Sequence, residues 1–359
     1  MSIRLVDAGT VPYLRSQTVY HGVARARTKD TPDTVILVRP EEPYVCIGYH
    51  QDLEKEVDVN FCKAHNIPIV RREVGGGAVY LDANQLFTQW VFSAGHLPMR
   101  IERRFEFYSR SLVQTYQALG IDAYYRPIND IQVRNKKIGG TGAGALGNAE
   151  VVVGSLMFDF DFELMARVLV VPNEKFRDKI YQSLQEYMTT MKKELGAVPS
   201  LEMVKDLYIE QCEALLGEKL VQGTFTEREL AAMEQLNAKF TSSEWLFQKG
   251  GLNRHGVKIH NDVWLYETKF KARGGMIRAT VRSRNNLIDD ISLSGDFTFH
   301  PQSQLRALEK TLVNTEISSA RLAETVHNFY QTAGVQSPGV EPEDWVEVIL
   351  QAQNVEKLG

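Results

Sequence analysis

The chain is poor in the residues that most readily announce a chemistry. It has three cysteines among 359 residues. Cys46, Cys62 and Cys212 are odd in number and widely spaced, which excludes a disulfide framework and a CxxC metal site and fits a reducing compartment. Histidine is scarce, with eight in all, and none clusters with carboxylates, so no metal-ligand set is expected. No GxSxG elbow, HExxH pair or GxxxxGK[ST] loop occurs, which removes the common serine-hydrolase, zinc-peptidase and P-loop readings. No apolar run approaches the about 18 residues of a membrane span, and MSIRLVDAGTVPYL lacks the apolar core of a secretory signal. The formal net charge of -4 and pI near 6.1 give no support for an extended nucleic-acid-binding face. A cytoplasmic protein without membrane or nucleic-acid partners is the expectation.

What is present is ordinary for a folded chain: 43% hydrophobic and 24% charged residues. The length is comfortable for two domains. TVILV and YVCIGY read as neighbouring strands, and residues 52–66 as one helix capped by Asp52. IPIVRR and GGGAVYL read as strands joined by glycines. Helices are expected over 101–118, 163–169, 174–195, 200–215 and 227–240, and strands at DAYYR and 150–158. Gly250, Gly251 and Gly256 mark a boundary near 245–256. The domains are therefore set at 1–248 and 249–359. The second carries strand signals at VWLYETKFKA, GMIRATVRS, LIDDISLSG and FTFH, turns at 274–276 and 285–286, and two helices near 302–312 and 318–332.

Three stretches invite chemistry. In RREVGGGAVYLD, Gly75, Gly76 and Gly77 follow Arg71 and Arg72. A tight turn explains the glycines, and so does a backbone that must approach something bulky and anionic, with a guanidinium supplying directed donors. The setting between two strands is wrong for a dinucleotide-binding GxGxxG, which joins strand to helix. In NDIQVRNKKIGGTGAGALG, lysines precede Gly139 and Gly140. A charged surface hairpin accounts for them, as does a ligand-covering loop that places an ammonium beside a phosphate or carbonyl, with Asn129 and Asp130 orienting a polar group. In VVVGSLMFDFD, Gly154 and Ser155 interrupt a strand, as a bulge or a point of close approach would. The residues alone establish a soluble two-domain protein with a candidate anion pocket.

Taken in order, these stretches resemble the lipoate–protein ligase family, whose superfamily includes biotin ligases and octanoyl transferases. RREVGGGAVYLDANQ is similar to its arginine–glycine motif followed by HDxGN. ND at 129–130 with KIGG at 137–140 resembles its second motif, and VVGS at 152–155 its third. YETKFKARGGMIRATV and ISLSGDFTF resemble its accessory domain, so the likeness covers most of the chain. It implies an α/β (α+β) fold: a biotin/lipoate ligase-like catalytic domain with mixed β-sheets flanked by helices, plus a smaller α/β accessory domain.

The resemblance also implies a reaction. ATP, with Mg²⁺, activates lipoate to lipoyl-AMP, and the lipoyl group passes to a lysine of a lipoyl-domain or glycine-cleavage-H-like acceptor protein. Lys137 corresponds to the catalytic lysine. Arg72 is the better candidate for the anionic part of the adenylate, with Arg71 serving the pyrophosphate or the strand end. The remaining ligand-binding set is Gly75, Gly76, Gly77, Ala78, Asp82, Gln85, Asn129, Asp130, Gly139, Gly140, Gly154, Ser155, Lys269 and Lys271. No protein metal ligand is assigned. Val45, Ile47, Val79 and Leu86 are candidates for an acyl tunnel, and core packing explains them equally well.

The chain also departs from the pattern. Leu81 stands in place of the HDxGN histidine, Asn84 and Gln85 in place of its glycine and asparagine, and Val152 and Val153 in place of two histidines. Gly139 takes a position where serine is common. The choice of acyl chain and acceptor is left open. An octanoyl or lipoyl transferase needs a nucleophilic cysteine, and none lies between positions 63 and 211. A lipoate-binding sensor that lacks catalysis is the other alternative. A biotin ligase is disfavoured because no GRGRxGR-like segment is present. A monomer is expected.

Overall fold

A computed structural model describes residues 2–171, 176–248 and 263–356. The chain divides into two compact units. One comprises Met1–Ile47, Leu53–Val74 and Ala78–Leu246. The other comprises Gly48–Asp52, Gly75–Gly77 and Phe247–Gly359. Of the linker expected over 245–256, Trp245 and Leu246 belong to a short helix, Ser243–Leu246, and residues 249–256 lie outside the described residues.

The first unit opens with β1 (Ile3–Val11), α1 (Tyr13–Ala26), β2 (Thr34–Pro40) and β3 (Tyr44–Ile47), then α2 (Leu53–Glu56), α3 (Val59–Ala64), β4 (Ile69–Arg71), β5 (Val79–Leu81) and β6 (Gln85–Ser93). It continues with α4 (Ile101–Ala118), β7 (Tyr124–Arg126), β8 (Asp130–Val133), β9 (Lys136–Leu146) and β10 (Ala149–Met157). It closes with α5 (Phe162–Val168), α6 (Arg177–Tyr187), α7 (Met191–Leu195), α8 (Leu201–Leu216), β11 (Leu220–Gln222), α9 (Glu227–Thr241) and α10 (Ser243–Leu246).

Eight strands form one mixed sheet in the order β11-β1-β2-β6-β10-β9-β8-β7, and β4-β3-β5 form a smaller one. β1 runs parallel to β2 and β11. The pairs from β2 to β7 are antiparallel. Helices cover the large sheet, so the fold is mixed α/β. α4 buries Ile101, Phe105, Tyr108, Leu112 and Tyr116, spaced to lie on one helical face, in the core that holds Trp90 and Val152. α8 begins at a Ser200 cap and ends at left-handed Gly217, and α9 begins with a Thr226–Glu229 capping box.

Two expectations about the first unit need correction. β3 does not neighbour β2. It is the centre of the small sheet, parallel to β4 and antiparallel to β5, because β2 already pairs with β1 and β6. Residues 52–66 are not one helix. The Asp58 N–H donates to the Val168 carbonyl, and its side chain caps a new helix by accepting from Phe61.

The second unit holds the antiparallel meander β12 (Val263–Ala272), β13 (Gly275–Arg284) and β14 (Leu287–Gly295), with α11 (Gln304–Leu312), α12 (Ser319–Ala333) and α13 (Pro342–Glu356). Buried and partly exposed residues alternate along β13, the period expected when one sheet face meets a core. That core contains Ile277, Val281, Leu293 and Trp345. Asn285 and Asn286 form the turn before β14 with φ of 50° and 62°, as their tolerance of left-handed backbone allows. FTFH is not a strand of the sheet; His300 makes an isolated bridge to Gln336. Residues 342–356, read as part of a tail, form a third helix.

Candidate active site

The lysine–glycine stretch is a strand, not a loop. β8 and β9 form a hairpin whose turn places Arg134 and Asn135 at φ of 47° and 64°. The glycines continue β9 through Leu146. The hairpin sets Gly140 opposite Asp130 and, past a register shift between Ile131 and Gln132, Lys137 opposite Gln132. The Lys137 Nζ lies 2.7 Å from Asp130 Oδ1, with the lysine side chain 40% exposed. A Cβ on Gly140 would lie 3.1 Å from Lys137 Cε and Nζ, so the missing side chain leaves the ammonium its place. Asn129 Nδ2 donates to the Thr141 carbonyl at 2.8 Å, and the Asn129 carbonyl accepts from the Thr141 N–H at 2.9 Å. The Lys137 carbonyl in turn accepts from the Thr189 N–H at 2.9 Å, which ties β9 to the α6–α7 connection.

Gly154 and Ser155 sit on β10 without a bulge; the register against β6 is unbroken from Ala149 to Met157. The reason for Gly154 is packing. A Cβ there would lie 3.1 Å from Tyr108 and Leu112. Tyr108 cannot readily yield, since its hydroxyl donates to the Thr88 carbonyl at 2.5 Å. Ser155 and Gln85 side chains approach at 3.5 Å, and Gln85 Nε2 donates to the Tyr80 carbonyl at 3.3 Å. A Cβ on Gly139 would lie 3.3 Å from the Ser155 carbonyl. Asp82 is buried, which pushes its carboxyl pKa up. It accepts from the Asn84 N–H and Nδ2 at 2.8 and 3.1 Å, and so shapes the turn between β5 and β6. Asn129, Asp130, Lys137, Gly139, Gly140, Gly154, Ser155 and Gln85 are thus brought together on adjoining strands.

The arginines behave differently. Arg71 is fully buried, and its guanidinium donates to the carbonyls of Trp245 and Leu246 at 2.9 and 2.6 Å. The Trp245 indole N–H donates back to the Arg71 carbonyl. Of the two roles set for Arg71, these contacts give it the one at the strand end. Arg72 is only partly buried. Its Nη1 lies 3.3 Å from the Cys46 carbonyl and 3.7 Å from Cys46 Sγ, against β3 of the small sheet.

The glycine turn belongs to the second unit. Within that unit a Cβ on Gly75 would lie 2.8 Å from the Phe297 carbonyl oxygen, which accepts from the Gly76 N–H at 3.4 Å. At Gly75 the close approach is by the protein's own main chain, whereas a Cβ on Gly77 would meet only the Asp296 side chain, at 3.5 Å. Lys269 and Lys271 project from the exposed face of β12. The expected tunnel residues do not share a wall. Val45 and Ile47 belong to one core cluster and Leu86 to another, while Val79 is exposed.

Sequence reasoning missed a buried polar network beside the arginines. The Glu73 carboxylate accepts from Arg25 and Lys239, both at 2.5 Å, and its N–H donates to His21 Nε2 at 3.1 Å. His21 Nδ1 faces the Gln17 carbonyl at 2.6 Å, so the proton sits on Nδ1 and the ring is neutral. Burial pulls the His21 pKa down to about 4. Glu73 adjoins the arginine pair in sequence, but its partners come from α1 and α9, which only the fold reveals.

All three thiols are buried. Burial pushes Cys62 up to about 11 and Cys212 up to about 12. Cys46 is also raised by burial, which outweighs the opposing pull of Arg72. Among the described residues no group of three or more His, Cys, Asp or Glu side chains could hold a metal, and no helix is long and apolar enough to cross a membrane.

These features can be set beside known proteins. Residues 13–213 match the family described as the lipoyl protein ligase A/B catalytic domain. Lipoate-protein ligase A subunit 1 of Thermoplasma acidophilum is 31% identical over 212 residues, 56% of this chain and 79% of that protein. Octanoyltransferase LipM of Kyrpidia tusciae is 27% identical over 270 residues, 68% of this chain and 98% of that protein. A solved bi-partite lipoate protein ligase from T. acidophilum, studied with its lipoyl domain, superposes with a TM-score of 0.63 and 29% identity, covering 72% of this chain and 100% of that one. The match spans the strands that carry Lys137, Gly154 and the arginine pair, and the chain belongs to the lipoyl protein ligase A/B catalytic-domain family.

Proposed function

We propose that the protein is an ATP-dependent lipoate–protein ligase. Lipoate's carboxylate oxygen attacks the α-phosphorus of ATP, an O–P bond forms, and pyrophosphate leaves. The ε-amine of an acceptor lysine then attacks the acyl carbon, an amide forms, AMP leaves with the electron pair of the broken C–O bond, and the amine's proton passes to solvent. The observation that carries this reading is Lys137. It is a half-exposed ammonium held by one carboxylate, on a strand whose register shifts beside it and which continues through Gly139 and Gly140. In that setting it can stabilise the charge that develops on the α-phosphoryl and carbonyl oxygens. Asp130 orients it, Asn129 braces the hairpin, and the missing side chain of Gly140 leaves room for the ammonium. Arg72 is assigned to the anionic end of the adenylate. Mg²⁺ would arrive on the nucleotide's phosphates, since the described residues offer no preformed metal cage, and no step is assigned to it. The acceptor is a lipoyl domain or a glycine-cleavage-H-like protein.

The relative named octanoyltransferase makes acyl transfer from a thioester the second reading. It needs a reactive thiolate, and the buried, up-shifted thiols oppose it. Purified protein with ATP, Mg²⁺ and lipoate, without acceptor, should release pyrophosphate and retain lipoyl-AMP, and Lys137→Ala should not. Octanoyl transfer from a carrier thioester without ATP would establish the transferase instead. Lipoate binding with neither reaction would establish a sensor.

A further inference from the structure

Around Lys137 the cations of the first unit stand outside their anions. Arg134 pairs with Glu194 at 2.5 Å, with side chains 74% and 6% exposed. Lys192 pairs with Asp159 at 2.6 Å, 54% against 28%. In each pair the carboxylate lies inward and the cation faces water. Lys136 and Lys193 are exposed, and no carboxylate lies within ion-pair distance of either among the described residues. Lys193 Nζ stands 3.7 Å from the centre of the Phe162 ring, a cation–π contact that holds its position. Lys193 lies close enough to Lys136 for the like charge to add to burial in lowering its pKa, although Asp159 opposes the shift. Tyr187, at the end of α6, is 67% exposed. One residue further on, Met188 bridges Lys137, and the Thr189 N–H bonds to the Lys137 carbonyl. The aromatic ring and the lysines are therefore fixed to the same strand as Lys137. Arg134, Lys136, Lys192 and Lys193 thus make a positive rim on a chain of net charge -4.

We propose that this rim, formed by Arg134, Lys136, Lys192, Lys193 and Tyr187, is the docking surface for the acceptor protein, which meets it with an acidic face surrounding its target lysine. The inference rests on the ligase reading, since only a ligase or transferase must bring a protein lysine to Lys137. Charge complementarity selects the partner. Opposite charges steer encounter and set orientation, and an exposed tyrosine supplies rigid amphipathic contact area. The target lysine carries the same sign as the rim and is repelled by it, whereas carboxylates flanking that lysine are attracted. The rim thereby favours lysines in acidic surroundings over lysines at large.

The test separates the two half-reactions. The Lys136→Glu/Lys193→Glu double variant should release pyrophosphate from ATP and lipoate at the wild-type rate. With preformed lipoyl-AMP and a purified lipoyl domain, its KM for the domain should rise about tenfold with kcat within about twofold, the pattern of lost uniform binding. The milder Lys136→Gln/Lys193→Gln variant should raise KM about threefold. Added salt should raise the wild-type KM and leave that of the charge-reversed variant nearly unchanged. Transfer to Nα-acetyl-lysine amide, which has no acidic face, should be the same for all three proteins. An unchanged KM for the lipoyl domain in the charge-reversed variant overturns the proposal, as does failure of the wild type to load that domain. Loss of single-stranded RNA binding with unchanged acceptor KM would also overturn it and mark a nucleic-acid surface. Absence of pyrophosphate release in the wild type is a different failure, because it removes the ligase reading itself.

Discussion

Arg71 and Lys137 stand in segments of similar make-up, each a cation followed within a few residues by glycines, yet the fold treats them in opposite ways. Arg71 is enclosed, and its fork of donors is engaged by the carbonyls of Trp245 and Leu246. Lys137 remains 40% exposed and gives one close contact to Asp130. A guanidinium has several directed donors and is weakly hydrated, so it suits burial against main-chain oxygens. An ammonium is strongly hydrated, and with one carboxylate partner it keeps donors for a ligand. The lesson is that a motif's cation can meet a ligand only where the fold leaves it donors.

The sharpest way to break this comparison is to remove each cation in turn. Lys137→Ala should slow lipoyl-AMP formation by about 100- to 1000-fold, or roughly 3–4 kcal/mol of transition-state stabilisation, with little change in melting temperature. Arg71→Met should do the reverse, costing about 2–4 kcal/mol of unfolding free energy by leaving two buried carbonyls unpaired. A denaturant titration of Arg71→Met that overlays the wild type would collapse the distinction.

The network beside Arg71 should also respond to acid. The folded pKa of His21, about 4, lies below its ordinary value of 6.5. Its stability contribution is therefore present above pH 6.5 and lost as pH falls toward 4, when the unfolded chain binds a proton that the folded one refuses. The full effect is about 3 kcal/mol. The Glu73 carboxyl, which its burial tends to raise, is held below its ordinary value by the Lys239 and Arg25 cations, and acid weakens it in the same direction. His21→Gln should flatten the pH dependence of unfolding between those limits, and a slope that survives would assign it elsewhere.

Gly154→Ala sharpens the contrast from the strand side. If packing against Tyr108 and Leu112 alone requires glycine there, stability should fall by about 1–2 kcal/mol while the KM for ATP and lipoate stays put. A rise in KM at unchanged stability would instead place ligand against this position. The smallest effect is expected for Asp130→Asn. An exposed ion pair contributes under about 1 kcal/mol to stability, so thermal melts should barely move, while adenylation should drop about threefold to tenfold as Lys137 loses its guide.

Much of this was legible in the sequence because it is local. The limits of α4, α8 and α9 followed from apolar periodicity and capping residues, and left-handed turn residues marked the second unit's hairpin. The site's strand residues could be named from short motifs. What could not be read depends on distant partners. The break after Glu56 requires Val168, β3 leaves β2 because β1 and β6 already flank that strand, and the meaning of Gly154 lies in a tyrosine 46 positions earlier. The sequence leaves the glycine-rich stretch open between a surface hairpin and a covering loop because glycine is a poor strand former; pairing with β8 and β10 on either side imposes the extended backbone.

The large sheet ends on both sides in strands of three residues, Leu220–Gln222 and Tyr124–Arg126. Each offers only about 10 Å of ladder to another chain, and two of the three residues are exposed on both, with Arg126 contributing charge at one end. Short, charged borders are poor templates for edge-to-edge growth. Colloidal stability is thus written into the rims of the sheet, and a concentrated sample should resist ordered aggregation through its ends even though six strands lie between them.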